Sequence, residues 1–470
     1  MIRNGAEILK ATMLTGTWWA IIFGLVWIAC WVVGIVLPGL LSGMEGDTPR
    51  FWAEICRALT PILAVMVFIP VNAMFMVLIE RRALALFTVR KGPNRVGPDG
   101  YLQTFADALK LLFKEDITPR GADAVMFTLA PIIFFAPSIF GAMPLLAAVT
   151  NNHELFQVMN LPTGIFFVLA ASSVPVVGIV MGGWASNNKY SLVGGLRSAA
   201  QAISYEIPLV LSIVTICLLA GTLDVVQIAK QQAGGILNWN LLGGGALRGL
   251  DQAVASGADA LKTFYYAPAA AIVGTGSDVL PWILSSIATV ALVVCTVTAF
   301  CLYLTGACAE INRIPFDLPE AESELVSGYN TEYSGIKFAI FFLAEFTNLF
   351  IVASIATVMF LGGGDCPVPA WLGERVESML GIKFSSIVNM ALAPLISVKL
   401  IDPATMFAAV WVILKTYTIV FFAILVRGTL PRFRIDQLMD FGWKRLIPLS
   451  LIVFLVVVFA REFVVCHVGT

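Results

Sequence analysis

Nine stretches of this chain are apolar for long enough to cross a lipid bilayer, and that decides most of what it can fold into. They lie near 17–41, 60–80, 124–148, 162–184, 205–221, 281–305, 336–361, 403–426 and 446–465. A hydrocarbon core of ~30 Å takes about 20 helical residues. Inside it, a helix satisfies every backbone polar group within its own segment. The predicted fold class is an all-α polytopic integral membrane protein with about nine transmembrane helices. Composition agrees, since the chain is 59% apolar and only 13% charged, against roughly 25% charged for a soluble domain. Such a chain cannot cover itself with polar surface, so most of its exterior must face lipid. The first run is too long and too late for the core of a signal peptide and lacks a clear cleavage site, so it reads as a retained helix.

The remaining composition excludes several functions. A formal net charge of −1 argues against nucleic acid as a partner. The eight cysteines form no C-x-x-C pair, and several sit inside apolar runs. They read as small buried apolar residues rather than iron–sulfur or zinc ligands. The two histidines, His153 and His467, lie near predicted span ends. No metal site and no bound cofactor is expected on this chain, so electrons for any redox role must come from a partner.

Basic residues set the orientation. The N-terminal tail and the loops 81–123, 185–204, 306–337 and 427–445 hold nineteen Lys and Arg. The opposite set holds fewer than half as many, in loops that are longer in total. The positive-inside bias places the first set, and the N-terminus, in the cytoplasm. On the outer side, 222–280 is rich in Gly and Ala, and 362–402 carries a Cys366-Pro367-Val368-Pro369 turn. Both read as insertions without recognisable chemistry.

The inner loops are distinctive. Glu80-Arg81-Arg82 closes the second span, and Arg90-Lys91-Gly92-Pro93-Asn94-Arg95-Val96-Gly97-Pro98 follows. Two Gly and two Pro in so short a stretch specify a stiff, turning backbone. For Arg81 and Arg82 alone, plain positive-inside anchoring accounts equally well. In 101–114, Leu102, Phe105, Leu109, Leu112 and Phe113 recur at helical spacing, with Asp107, Lys110 and Lys114 on the opposite face. That pattern predicts an amphipathic helix too short to span, lying in the membrane interface. It is either a surface anchor or the border of an opening for a lipid-soluble substrate.

The loop after the sixth span carries the strongest signal. Glu310, Asp317, Glu320, Glu322, Glu324, Glu332 and Glu345 place seven of the chain's thirty acids within thirty-six residues. Carboxylates packed this closely at low dielectric cannot all stay charged and titrate as a group. A solvated acidic loop is the ordinary alternative. Against it stand the interleaved Pro, Phe, Leu and Tyr, and the acids within spans, Glu345 and Glu206, because an ionisable residue in a span is functional by default. The pattern favours a proton path.

These residues resemble a known family. Ile79-Glu80-Arg81-Arg82 with the 90–98 segment, Gly183-Trp184-Ala185-Ser186-Asn187-Asn188-Lys189-Tyr190-Ser191, the Glu310–Tyr333 loop, and Arg432-Phe433-Arg434-Ile435-Asp436 with Gly442-Trp443-Lys444 run in order along the chain. They closely resemble the quinone-site membrane component (the H component) of bacterial NADH–quinone oxidoreductase, respiratory complex I. Its mitochondrial equivalent is subunit 1. The resemblance covers about 57–462 apart from the two insertions. It implies a family core of eight spans in 57–465, with 1–56 as an extension carrying an extra transmembrane helix. Ile435 departs from it, standing where many relatives carry tyrosine.

The resemblance also implies roles. Glu80, Arg81, Asp107, Arg313 and Asp317 are expected to line a quinone chamber entered from the bilayer. Glu206, Glu310, Glu320, Glu322, Glu332 and Glu345 form the expected carboxylate path for protons, and Arg432, Arg434 and Asp436 face the peripheral arm. The chain alone holds no complete active site and no catalytic residue. Quinone is the substrate, and FMN and iron–sulfur clusters belong to partner subunits. Expected partners are the quinone-site subunits of the peripheral arm, the antiporter-like membrane subunits and membrane lipids, in a bacterial inner membrane. The homologous subunit of an energy-converting hydrogenase or of a deazaflavin-cofactor dehydrogenase is the nearest alternative. A secondary transporter or a structural scaffold is more distant; no convincing internal repeat supports the former.

Overall fold

The computed structural model describes residues 32–33, 37–38, 47–97, 100–149, 161–244, 279–318, 327–367 and 403–468. Among them every regular element is helical. Seven stretches are long and apolar enough to cross a membrane: 124–145, 164–185, 189–220, 290–310, 335–360, 407–429 and 435–460. Each answers to one predicted run. The run at 60–80 lies in α1 (Asp47–Phe87), a 41-residue helix with no charged residue from Thr60 to Ile79. The first run, 17–41, and the extra N-terminal helix read from it fall almost wholly outside the described residues.

After α1 come α2 (Gln103–Phe113), α3 (Ala124–Val149), α4 (Gly164–Ser173) and α5 (Pro175–Ala185). Then follow α6 (Lys189–Ala220), α7 (Val225–Gln231), α8 (Val279–Glu310), α9 (Gly335–Phe360), α10 (Pro403–Thr429), α11 (Ile435–Phe441) and α12 (Ile447–Val468). A π-helical turn, Gly442–Leu446, joins α11 to α12. The fourth predicted span stands as one stretch, 164–185, with its helix interrupted at Val174 alone. Pro175 has no N–H to continue the ladder, and the chain breaks at Val174 before α5 resumes.

A second difference is larger. The expected loop 185–204 is mostly helix, because α6 starts at Lys189, where the Asn188 side chain caps it by accepting the Tyr190 N–H. Small residues permit this packing. A Cβ on Gly183 would stand 2.7 Å from the Ser191 carbonyl oxygen, and one on Gly194 2.8 Å from the Gly328 Cα. Glu206 therefore lies near the middle of a 32-residue helix rather than just inside its start.

α9 is the axis of the bundle and packs against α1, α3 and α10. Every residue from Ile351 to Phe360 is buried. Its far end is held by the described part of the first insertion: Gln232 donates to the Val358 carbonyl, Asn240 to that of Met359. Lys415 of α10 donates to the carbonyls of Leu361, Gly363 and Asp365. The rest of both insertions, 245–278 and 368–402, lies outside the described residues. The bundle's outside stays apolar, with Phe166, Val177, Val290, Ile452 and Phe459 all exposed. α2 behaves as its pattern predicts, with Phe105, Leu109, Leu112 and Phe113 exposed while it rests on α1 and α9.

Candidate functional site

Among the described residues, one end of the bundle brings acids and basic side chains together around one cavity. At its centre is Glu80, which is 4% exposed and directly follows the charge-free stretch of α1. Its carboxylate accepts two bonds from the Arg313 Nη1, at 2.8 and 3.0 Å. Arg427, near the end of α10, forms a second ion pair with the same carboxylate. The Arg313 guanidinium also stacks on the Phe346 ring of α9, 4.3 Å from its centre. Burying such charges is costly unless each is paired and hydrogen-bonded, and here three elements supply the partners.

Around this cluster lies a cavity of about 210 Å³. Glu80, Arg81, Arg313 and Asp317 line it, together with Arg427 and Glu345. Asp107 reaches it through Arg81, whose Nη1 donates to the Asp107 carboxylate at 2.5 Å. All five residues expected in the chamber thus form one connected group. Arg432 donates to Asp317 at 3.0 Å, which ties an expected interface residue to the cavity wall. Arg434 and Asp436 are exposed at the start of α11.

The carboxylates of the expected path are distributed more widely. Glu345 of α9 accepts the Tyr329 hydroxyl at 2.8 Å. Glu332 accepts the Asn188 amide at 2.7 Å. Glu310 lines a small cavity together with Ser172, whose hydroxyl donates to the Leu169 carbonyl at 2.9 Å, and it is close enough to Glu206 to interact with it electrostatically. Glu320 and Glu322 lie outside the described residues. Just before α9, Tyr333 stacks flat on Phe127 at 4.1 Å, and burial pushes its phenol above the ordinary tyrosine range.

Several partners escape a reading of the sequence. Arg427 counts there only as a basic residue at a span end, and Tyr329 and Asn188 carry no charge to draw attention. The signal for Arg427 is its place in the same inner loop set as Glu80, within reach of the second span's end. For the others only the three-dimensional packing identifies the acid they serve.

Helices that cross a bilayer, a buried carboxylate clasped by two guanidinium groups, and further acids within the spans define a polytopic membrane protein built to hold charge at one end. The family model described as NADH dehydrogenase matches residues 60–458. The chain belongs to this family. It is similar to the first of the NADH-quinone oxidoreductase H components of Solibacter usitatus (strain Ellin6076), at 37% identity over 413 residues, covering 80% of this chain and 90% of the relative. It is also similar to the second of those H components in Koribacter versatilis (strain Ellin345), at 35% identity over 408 residues, covering 84% and 94%. The resemblance read from the four motifs is borne out.

Proposed function

We propose that this chain is the subunit of a membrane NADH–quinone oxidoreductase that helps form the quinone chamber and couples quinone reduction to proton movement. One observation carries the reading: the Glu80–Arg313–Arg427 cluster and Glu345, an acid within a span, line the same cavity. A change of charge in that cavity acts directly on the first carboxylate of the membrane. At an effective dielectric near 20, two unit charges 4 Å apart interact by about 4 kcal/mol.

The cavity's size fits a shared chamber. A complete small-molecule pocket has roughly 300–1,000 Å³, and this chain alone encloses about 210 Å³. A partner subunit at the exposed side of Arg81 and Arg432 completes the wall. Quinone enters from the bilayer beside α2, whose apolar face meets lipid. Each quinone takes up two electrons and two protons to become quinol; the electrons come from the iron–sulfur clusters of partner subunits, fed from NADH through their FMN. Arg313 and Arg427 hold Glu80 ionised and aligned, and Arg81 with Asp107 flanks the passage. The change from quinone to quinol alters the field at Glu345, and the change passes to Glu310 and Glu206. Glu320, Glu322 and Glu332 join the path on the sequence reading. The basic end faces the cytoplasm of a bacterial inner membrane, and Arg434 and Asp436 face the peripheral arm.

The test is NADH-driven quinone reduction and proton pumping in membranes carrying Glu345→Gln, after assembly of the complex is verified. An assembled complex that loses either activity supports the reading. Wild-type values for both would sink it.

A further inference from the structure

α6 carries a buried neutral side chain that neither charge nor hydropathy accounts for. Gln201 is 1% exposed, and its amide nitrogen faces the turn that follows α8. It donates to the Ala309 carbonyl at 2.7 Å, to the Phe316 carbonyl at 2.7 Å and to the Asn312 Oδ1 at 3.1 Å. All three neighbours are acceptors, so the nitrogen and not the oxygen of the amide must face them. The Gln201 Oε1 is buried with no hydrogen-bond partner among the described residues. An unpaired buried acceptor is destabilising, and Gln201 carries that penalty while placing two N–H donors in the turn.

The three oxygens lie on both sides of Arg313. Ala309 stands in the last turn of α8, where carbonyls have no donor inside the helix. Phe316 stands three residues beyond Arg313 and directly before Asp317. Between them Asn312 takes φ 54°, a left-handed conformation that asparagine tolerates better than most residues. Asn312 is tied to α6 a second time, its Nδ2 donating to the Ser198 Oγ at 3.2 Å. Tyr205, one helical turn beyond Gln201, packs its ring on that of Phe316, with centres 5.3 Å apart. Ser198, Gln201 and Tyr205 recur at the spacing of one helix face, and all three are buried. That face of α6 is a mould for the turn, and the Gln201 amide joins the turn's two flanks.

The turn in its place forms wall of the larger cavity, which Asn312, Arg313 and Asp317 all line. Arg313 donates to Glu80 at 2.8 and 3.0 Å, and Asp317 accepts from Arg432 at 3.0 Å. We propose that Gln201 is a positioning residue for quinone binding, holding this turn so that Arg313 and Asp317 keep their places in the cavity. The assignment rests on the quinone-chamber reading set out above. Gln201 is not among the residues lining the cavity and acts through the turn. Side chains of other chemistry do not fit its place. A hydroxyl donates once, a carboxylate only accepts, and a lysine or arginine would bury a charge with no acid among the three oxygens.

The experiment measures KM and kcat for a water-soluble quinone with NADH, with turnover expressed per assembled complex. Gln201→Met keeps the length of the side chain and removes both donors. It is expected to raise KM roughly threefold or more with a smaller change in kcat, the pattern of lost substrate binding. Gln201→Asn keeps an amide on a stem one methylene shorter, and is expected to raise KM by less. A residue that served folding alone would lower the amount of assembled complex and leave KM in the remainder unchanged. Arg313→Lys and Asp317→Asn, measured alongside, test the chamber itself. If either raises KM while Gln201→Met leaves it at wild type, the assignment is overturned and the chamber stands. If neither raises it, the chamber reading fails and the assignment with it. A larger change in kcat than in KM for Gln201→Met also overturns the assignment. Should Gln201→Met not assemble, Gln201→Asn decides: a raised KM supports the assignment, and a wild-type KM overturns it.

Discussion

The Glu80 carboxylate and the Arg313 guanidinium, 233 residues apart in the chain, meet at 2.8 and 3.0 Å on the wall of the larger cavity. Arg427 closes on the same carboxylate from α10. Three helix ends are thus fastened by one buried acid.

Replacing that acid should be severe. Glu80→Gln removes the carboxylate that both guanidinium groups share, and breaking a buried pair by removing one partner costs about 3–5 kcal/mol. The expected result is a large fall in assembled complex at the growth temperature, read by native electrophoresis of solubilised membranes. Arg427→Gln should be milder. Its side chain is 32% exposed, and Arg313 still neutralises the acid. Equal losses from the two substitutions would contradict this ranking.

The pair between Arg81 and Asp107 is of another kind. Its side chains are 43% and 35% exposed, and exposed pairs contribute roughly 0–1 kcal/mol after screening by water and salt. Asp107→Asn is therefore expected to leave thermal unfolding of the assembled complex nearly unmoved, and raising the salt should shrink any difference further. Quinone affinity is the sensitive quantity, because Arg81 loses the partner that holds it at the cavity. A drop in stability with unchanged KM for quinone would invert the assignment.

Close backbone packing makes a third prediction. A Cβ on Gly194 would stand 2.8 Å from the Gly328 Cα and 2.9 Å from the Tyr329 nitrogen. Neither is the movable tip of a side chain, so Gly194→Ala must displace α6 or the 328–330 turn. Overpacking of this kind typically costs about 1–3 kcal/mol. The turn carries Tyr329, so the displacement also strains its bond to Glu345. Expected are reduced assembly and reduced turnover per assembled complex. Normal turnover in the complexes that do assemble would show that the turn tolerates the shift.

The contrast between what the sequence shows and what it hides has a physical basis. Span length and hydropathy are local properties, so runs such as 124–148 and 336–361 read directly as helices. The start of α6 does not, because Lys189 and Arg197 interrupt the apolar signal that a window on the sequence detects, while Asn188 and the glycines decide the packing. Acids stand out for the same local reason, which makes Glu80, Glu310 and Glu345 legible as candidates. Their partners are chosen by tertiary contact. Arg427 with Glu80, Tyr329 with Glu345 and Ser138 with Asn348 come from separate helices or loops. For Tyr329 and Ser138, neither residue type nor spacing distinguishes a partner from an ordinary polar residue.

Tyr329 and Tyr333 supply the last prediction, because they are four residues apart, both pack on Phe341, and their hydroxyls meet different surroundings. Tyr329 donates to Glu345. The Tyr333 hydroxyl is buried with no hydrogen-bond partner among the described residues. Removing an unpartnered buried hydroxyl is close to neutral or stabilising, whereas stripping a donor from a buried acceptor leaves a group unsatisfied at about 1–3 kcal/mol. Tyr333→Phe should therefore assemble and turn over normally, since the ring stacked on Phe127 stays in place. Alkaline conditions should separate it further from the wild type. With its folded-state value raised by burial, the Tyr333 phenol's share of stability is fully present below the ordinary tyrosine value of about 10. It is lost as pH rises above that value, where the unfolded phenol ionises and the folded one does not. Tyr333→Phe removes that loss, so its melting temperature should fall less steeply above pH ~10. Tyr329→Phe should instead lower activity at neutral pH by removing the hydroxyl that the Glu345 carboxylate accepts. Thermal scans of both variants across pH, paired with turnover at neutral pH, decide the matter. If Tyr333→Phe proves the more damaging of the two at neutral pH, its hydroxyl has a partner that matters, and the roles assigned to the two tyrosines must be exchanged.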